Sequence, residues 1–268
     1  MESGTRCGMA DTLGALTAAG FDIATRNHAL AILQGDFPDV LPELVAALTG
    51  FRIPARDIIR SGGGQAASTM RLRDALYAQG WHKHEFVTRT IVDGVEREAK
   101  SHEIDHVRRA EAGTIALEIE WNNKDPFFDR DLENFHRLHA QGAISLGVLI
   151  TRGAALQEAL PGIVERTVAE AGITDQTDLT AWGMKTRTDR QRAMLRRMTE
   201  QGTPFASAFA KSFVADKFGT ATTHWAKLRD RIDRGVGNPC PLLLLGLPPG
   251  CVTGYTVTYS AATDELNG

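Results

Sequence analysis

Cysteine is scarce in this chain of 268 residues, and no long apolar segment occurs. The three cysteines, Cys7, Cys240 and Cys251, are too few and too scattered for a disulfide framework or a cysteine-rich zinc site, which fits a reducing compartment. The longest apolar run, Leu242–Leu247, is far shorter than the roughly 20 residues that span a bilayer. No charged and then apolar leader opens the chain, so we expect a cytoplasmic protein.

Basic residues are concentrated in the last third of a chain whose total charge is −3. From Lys185 to Arg234 there are twelve basic and five acidic residues, a net charge of +7 that leaves −10 for the rest. Such a region is typical of a surface that faces a polyanion, because Lys and Arg release counterions from phosphate. A solvated helix face and a dimer interface are the alternatives. The arginines predicted to face a polyanion are Arg190, Arg192, Arg196, Arg197, Arg229, Arg231 and Arg234.

The apolar periodicity changes several times along the chain and predicts a mixed α/β fold. Helices are expected within the first fifty residues and over 68–79, 129–141, 156–171, 189–201, 204–217 and 222–234. Strands are expected over 85–95 with a turn at Asp93-Gly94, then over 103–107, 114–121, 144–151, 242–247 and 255–259. This order predicts a central sheet of mixed direction with helices on its faces. We expect one domain over 1–268, divided into a helical part (9–60), a core (61–152) and a helical, basic part with closing strands (153–268).

Three carboxylates stand out in and before the strand expected over 114–121. Glu118 and Glu120 are two residues apart, so both side chains point to the same face of that strand. Two glutamates repel each other on an otherwise apolar strand, and such a pair persists where a cation neutralises its charge. Asp105 ends the preceding strand, and a hairpin would bring it beside Glu118. With the backbone carbonyl of Ile119 they form an oxygen-only donor set of the kind Mg²⁺ prefers. The alternative is that both glutamates simply face solvent.

Several other polar residues are candidates for contacts with a nucleic acid. Lys124 follows the carboxylate strand and could reach a phosphate, although an exposed lysine is equally ordinary. The Gly62–Gly64 run is not a Walker loop, but its backbone amides could contact DNA. The loop over 218–224 carries short hydroxyls before a basic helix, which suits phosphate or base contact as well as ordinary N-capping by Thr222. The candidate contacts are Gly63, Gln65, Ser68, Asn122, Lys124, Thr220, Thr222, His224, Lys227 and Arg231.

An aspartate at a strand end, a hairpin, Glu-x-Glu, a helix and a buried strand together are similar to the active-site core of the PD-(D/E)xK nucleases. More narrowly, the chain from about Thr69 to Arg152 resembles the BglII/BstYI family of type II restriction endonucleases. The segments that carry the resemblance are Leu76–Trp81 (LYAQGW), Ile104–Val107 (IDHV), Ile115–Glu120 (IALEIE), Phe128–Leu132 (FDRDL) and Ile144–Ile150 (ISLGVLI). The resemblance implies a restriction-endonuclease-like α/β fold and Mg²⁺-dependent, sequence-specific cleavage of double-stranded DNA.

The resemblance also assigns roles to individual residues. In that family the aspartate and the first glutamate bind Mg²⁺, which here implies Asp105 and Glu118, with Mn²⁺ as a substitute. Glu120 takes the third catalytic position, where most of the superfamily has lysine and this branch has glutamine or glutamate. Glu103 is the reserve candidate for the aspartate, because Asp105 and Glu118 are further apart in sequence than is usual in the family. A homodimer that cuts a short palindromic site, and a cognate DNA methyltransferase, are also implied.

Two other functions stay open on the residues alone. One is a DNA-binding protein with a nuclease fold that does not cleave, and the other is a structure-specific repair nuclease. Intact acidic residues at 105, 118 and 120 favour an enzyme over an inert binder. The long basic part favours sequence readout over a minimal repair fold, so we expect 61–152 to be the catalytic core and 153–268 to serve DNA recognition and dimerisation.

Overall fold

Eleven α-helices and eight strands are found in the computed structural model, which describes residues 12–59 and 67–254. The helices are α1 (Thr12–Ala18), α2 (Ala29–Asp36), α3 (Val40–Gly50), α4 (Ala55–Ile59), α5 (Ala67–Ala78), α6 (Phe127–Ala140), α7 (Ala154–Glu170), α8 (Gln176–Ala181), α9 (Asp189–Glu200), α10 (Phe205–Lys217) and α11 (Trp225–Asp233). The strands are β1 (Asp22–Arg26), β2 (Ile53–Pro54), β3 (His82–Val92), β4 (Val95–Ala110), β5 (Gly113–Glu120), β6 (Leu146–Arg152), β7 (Leu242–Leu247) and β8 (Val252–Thr253). No helix in these two ranges is long and apolar enough to cross a membrane.

Six of the strands form one sheet in the order β1-β7-β6-β5-β4-β3. Strands β5, β6 and β7 run parallel to one another, whereas β1, β4 and β3 pair antiparallel to their neighbours. Every residue of β6 and β7 is buried. Their almost wholly apolar sequences follow from this position, because an inner parallel strand is covered on both faces. The two-residue strands β2 and β8 pair separately.

Side chains alternate between the two faces of the sheet, and each face has its own apolar core. The large-core face carries the sheet residues Ile115, Leu117, Val148, Ile150, Leu243 and Leu245, which pack with residues of α3, α5, α7 and α10. The small-core face carries the sheet residues Ala116, Leu149, Leu242 and Leu244, which pack with residues of α6 and α11. The two faces are therefore separate environments within one sheet.

The predicted α/β architecture with a central mixed sheet is confirmed, and the helices expected after residue 60 are present as α5, α6, α7, α9, α10 and α11. The first fifty residues are not all helical, because Asp22–Arg26 forms β1 against β7. Strand β1 lies at the edge of the sheet and pairs only with β7 among the described strands. Its five residues have little hydrophobic alternation, so the sequence does not predict this pairing. Helices α4 and α8 are short and were not predicted. The strand expected over 255–259 lies outside the described residues.

The hairpin of β3 and β4 is longer than predicted. Its turn at Asp93-Gly94 is confirmed, with φ values of 52° and 75°, which a tight two-residue hairpin turn needs. The strand expected over 103–107 is part of β4, a single strand of 16 residues. Strand β4 pairs with β5 only from His106 to Ala110, so its first half extends with β3 as a two-stranded ribbon beyond the Glu120 end of β5.

Candidate active site

Glu118 and Glu120 lie near the carboxyl end of β5, on the small-core face. Their side chains are only 5% and 3% exposed, so the alternative that they face solvent is wrong. Strand β5 lies inside the sheet between β4 and β6, and α6 packs against it. A buried pair of glutamates is costly unless a proton or a cation offsets their charge.

Asp105 is brought beside Glu118 by the hairpin between β4 and β5. The two strands pair from Ala110 opposite Gly113 to His106 opposite Leu117, around a two-residue turn. Asp105 and Glu118 are the next residues of the two strands beyond this last pair. The negative charge of Asp105 contributes to a raised pKa of Glu118, which agrees with their proximity. The juxtaposition that the sequence predicted is therefore present, and a long hairpin with a minimal turn accounts for their separation in sequence.

Strand β4 carries one extra residue between Ile104 and Val107, the segment that contains Asp105. Three steps along β4, from Ile104 to Val107, match only two steps along β3. Such a bulge bends a strand and re-aims its side chains, and bulges are common beside active sites. Glu103, the reserve candidate, is exposed and pairs with Lys83 across the ribbon. The buried carboxylates thus have Asp105 rather than Glu103 as their neighbour on β4.

A fourth carboxylate, Asp131 of α6, was not predicted from the sequence. Its side chain is fully buried, and its negative charge contributes to the raised pKa of Glu120. Asp131 falls three residues after Phe128 and four before Phe135, on the buried stripe of α6. A charged residue at a stripe position is the signal that could have revealed it. The carboxylate cluster, as named below, consists of Asp105, Glu118, Glu120 and Asp131.

Burial and mutual repulsion raise the pKa of three members of this cluster. Burial, followed by the charge of Asp131, raises the pKa of Glu120 to about 8. Burial is also the main cause of the raised pKa of Glu118 and of Asp131. The adjacent cation is Arg130, whose Nη2 lies 2.7 Å from Asp131 Oδ1 and 3.6 Å from Glu120 Oε1. Among the described residues, Arg130 is the guanidinium in contact with the buried carboxyls, whereas Arg73 and Lys83 interact with the charge of Asp105. One guanidinium does not balance Glu118, Glu120 and Asp131, so the cluster either holds protons or accommodates a further cation.

The donor atoms of the cluster fit a hard divalent cation. Asn123 Nδ2 donates to Glu120 Oε2 at 2.8 Å and fixes the orientation of that carboxyl. Asp131 Oδ2 is buried and receives no hydrogen bond from a protein N–H or hydroxyl. Oxygen ligands of this kind are those that Mg²⁺ prefers. Within residues 12–59 and 67–254, no group of three or more His, Cys, Asp or Glu side chains is already arranged to hold a metal ion.

Two loops that the sequence marked separately are joined beside the cluster. Residues 122–125 follow β5, and residues 221–223 precede α11. An isolated bridge between Lys124 and Thr222 connects them, flanked by backbone hydrogen bonds of 2.9 and 3.1 Å. These two segments are named the paired loops, and they place candidates from distant parts of the chain next to one another.

The candidate contact residues differ in how far they are free to reach a ligand. Asn122, Lys124 and Thr220 are exposed. Lys227 is half-buried, and its Nζ lies 3.4 Å from Asp125 Oδ2. The first three side chains are therefore the ones that can meet a nucleic acid without breaking a bond within the chain.

Three other candidates are buried and are used inside the protein. Thr222 Oγ1 donates to a backbone oxygen three residues earlier, at 2.7 Å. Arg231 pairs with Asp125 at 3.4 Å and with Asp129 at 3.1 Å. His224 is also buried, and burial lowers its pKa. These contacts hold the paired loops and α11 in place, and contact of the three residues with DNA stays a prediction.

The N-terminal candidates stay predictions. Gly63 and Gln65 lie outside the described residues. Ser68 falls in the first turn of α5, whose Leu72 and Leu76 pack into the large core. Contact between DNA and the backbone amides of the Gly62–Gly64 run therefore also stays a prediction.

The basic region over 185–234 does not form one surface. Leu195 anchors α9 in the large core, whereas Leu228 and Ile232 anchor α11 in the small core. The sheet therefore lies between the arginines of α9 (Arg190, Arg192, Arg196, Arg197) and those on or just after α11 (Arg229, Arg231, Arg234). The seven arginines thus belong to helices on two faces of the sheet, which a charge count along the chain does not reveal, and which of them contact DNA stays a prediction.

A mixed sheet with carboxylates on two adjacent strands, those on β5 being buried, is consistent with the restriction-endonuclease-like class of folds. The model of the family described as restriction endonuclease BglII/BglIII matches residues 21–247, a range that includes all six strands of the sheet. The chain therefore belongs to this family of restriction endonucleases, which confirms the resemblance noted from the sequence. Membership implies nuclease activity and binding to DNA. A search of the curated proteins finds no match.

Proposed function

We propose that this protein is a Mg²⁺-dependent type II restriction endonuclease that hydrolyses double-stranded DNA within a short palindromic site. The observation that carries the proposal is the carboxylate cluster, in which Glu118, Glu120 and Asp131 are buried together near Asp105, and Arg130 is the one guanidinium of the described residues that contacts the buried three. Membership of a restriction endonuclease family supports it. Mn²⁺ is expected to substitute for Mg²⁺, because oxygen ligands suit both ions.

Phosphodiester hydrolysis needs an attacking water, compensation of charge on phosphorus and a proton for the leaving 3′ oxygen. Asp105, Glu118 and the carbonyl of Ile119 would hold the divalent ion, which supplies Lewis acidity and acidifies water. Glu120, oriented by Asn123, holds and aligns the attacking water. Because its pKa is raised to about 8, Glu120 is suited to exchange a proton with that water near neutral pH.

The exposed side chains of the paired loops are proposed to meet the DNA. Lys124 suits a phosphate, and the amide of Asn122 suits a base edge in a groove. Thr220 adds a hydroxyl to the same DNA-facing surface. Thr222, His224 and Arg231 hold the paired loops in place from inside the protein. Lys227 contacts the DNA once its ion pair with Asp125 is broken. Gly63, Gln65 and Ser68 are also proposed to contact the DNA.

The enzyme is proposed to act as a homodimer in the cytoplasm. A palindromic double-strand cut needs two catalytic centres related by a two-fold axis, and the described residues of one chain provide one carboxylate cluster. In this proposal 61–152 forms the catalytic core of a single domain, and 153–268 serves recognition and dimerisation. A cognate DNA methyltransferase would protect the same site in the host.

The test is incubation of the protein with a long linear duplex and Mg²⁺, followed by electrophoresis. Discrete fragments are expected, and none should form with EDTA in place of the metal. A smear would indicate a non-specific nuclease, and cleavage confined to branched or nicked DNA would indicate a repair nuclease. DNA that is bound but stays intact would indicate a nuclease-fold binding protein.

A further inference from the structure

Arg152, the last residue of β6, has a fully buried side chain. Its Nε donates to the backbone oxygen of Trp121 at 2.7 Å. Its Nη2 donates to Thr222 Oγ1 at 2.7 Å and to the backbone oxygen of Thr223 at 2.6 Å. Nη1 donates to Gln157 Oε1. All three nitrogens of the guanidinium are thus bonded to neutral oxygens.

This guanidinium is a costly group to bury. It lies over the ring of Phe218, with Cζ 4.9 Å from the ring centroid. Burial lowers the pKa of Arg152 to about 9 with no carboxylate to offset the effect. An apolar side chain of similar volume is usually at least as stabilising as a buried charge. Packing of the core alone therefore does not account for an arginine at this position.

The contacts of Arg152 connect three segments that meet beneath the paired loops. Trp121 directly follows Glu120 at the end of the catalytic strand, Gln157 lies in the first turns of α7, and Thr222 belongs to the loop before α11. One of the paired loops also supplies Asn123, which orients the Glu120 carboxyl. A single side chain thus fixes both loops and the backbone next to Glu120.

We propose that Arg152 is a positioning residue that locks the paired loops beside the carboxylate cluster. The lock sets the orientation of Glu120 and of the DNA-facing side chains without Arg152 touching substrate. This inference rests on the nuclease function proposed above, whereas the lock itself is a property of the fold and can be measured without DNA.

A second buried arginine provides a matched control. Arg187 donates to Ser212 Oγ at 2.6 Å, and its Cζ lies 5.3 Å from the ring centroid of Phe209. Both arginines are thus buried over a phenylalanine. Arg187 differs from Arg152 in its partner, because Ser212 lies in α10 and the described hydrogen bond of Arg187 does not reach the paired loops.

The first experiment compares Arg152→Gln with Arg187→Gln at a temperature at which both are folded by circular dichroism. Single-turnover cleavage at saturating enzyme and Mg²⁺ is expected to fall about 100-fold for Arg152→Gln, since small misplacements near reacting groups have effects of that size. Arg187→Gln is expected to stay within about threefold of the wild type. Equal losses in both variants, or an unimpaired Arg152→Gln, would overturn the proposal.

Hydrogen exchange without DNA or metal gives a readout independent of cleavage. The amides of Asp125 and Thr223 donate across the paired loops, and in Arg152→Gln they should exchange about tenfold faster or more. Arg187→Gln should leave them unchanged. Unaltered protection in Arg152→Gln would refute the lock. Faster exchange with a wild type that cleaves no duplex would support the lock and refute the proposed nuclease function.

Thr222 keeps the proposal testable if Arg152→Gln does not fold. Thr222→Val removes one acceptor of Arg152 with little change in volume, and Thr222→Ser restores it. Faster exchange and slower cleavage are expected for valine, with recovery by serine. Thr180→Val, at an exposed threonine of α8, is the control. Valine and serine variants that both behave like the wild type would contradict the lock.

Discussion

The two faces of the central sheet are covered in different ways. Helices α3, α5, α7 and α10 cover the large-core face with a continuous set of buried apolar side chains. The small-core face, under α6 and α11, has fewer apolar residues and accommodates the buried carboxylate cluster beside them. One sheet thus presents an ordinary hydrophobic core on one side and an electrostatically costly one on the other.

This difference separates stability from chemistry. Apolar burial on the large-core face favours folding by about 25 cal/mol for each Å² removed from water. Buried carboxyls oppose folding unless a proton or a cation compensates them. We therefore expect substitutions on the large-core face to change the free energy of unfolding, and substitutions in the cluster to change cleavage.

The largest effect is expected for Asp105→Ala. The cleavage rate should fall by about 10³-fold or more, equivalent to about 4 kcal/mol, because a metal ligand is lost. DNA binding should be unchanged or tighter, since a negative charge next to phosphate is removed. Single-turnover assays and a binding titration measure the two effects.

Glu103→Ala is the control for this variant, because Glu103 is exposed on the same strand. It should cleave within about threefold of the wild type. Wild-type cleavage by Asp105→Ala together with a loss in Glu103→Ala would move the proposed metal role to Glu103.

On the opposite face, Phe209→Ala should act on stability alone. Phe209 is fully buried and stacks on Phe205 and Phe213, with centroids 6.4 and 5.3 Å away. Truncation of such a ring should lower the free energy of unfolding by about 3–5 kcal/mol, as measured by urea denaturation. Cleavage well below the transition should change little. A large loss of cleavage at nearly normal stability would contradict the division between the two faces.

The smallest predicted effect concerns the split basic region. Lys124→Ala should make the negative slope of log affinity against log salt shallower by about 0.9, the value for one phosphate contact. Arg196→Ala, on α9 across the sheet, should leave that slope unchanged. A shallower slope for Arg196→Ala, together with an unchanged slope for Lys124→Ala, would place the DNA on the large-core face.

Local pattern was sufficient to predict β5, β6 and α6, because alternation and helical periodicity depend on neighbours in sequence. The hairpin also led to the pairing of Asp105 with Glu118. Pattern did not reveal the bulge between Ile104 and Val107, which depends on how β4 pairs with β3. Nor did it reveal that Asp131 joins the cluster, since that requires α6 to pack over β5.

Contacts between distant segments were beyond prediction from the sequence. Arg152 bonds to Thr222, seventy residues later, and nothing in the local sequence of either residue indicates this. The position of the basic region over 185–234 also depends on contacts between distant segments. Its charge was read correctly, but its division between two faces depends on where Leu195 and Leu228 are buried.

The most direct test of the account is a joint measurement on Glu118→Gln, with Glu133→Gln, an exposed position on α6, as the control. At pH 8 without divalent metal, Glu118→Gln should raise the free energy of unfolding by about 1–3 kcal/mol, because glutamine has no charge that must be buried or neutralised by a proton on folding. The same variant should lose Mg²⁺-dependent cleavage by about 10³-fold or more. Glu133→Gln should change neither. A Glu118→Gln protein that is no more stable than the wild type and still cuts DNA at its rate would contradict the claim that the cluster is buried for catalysis.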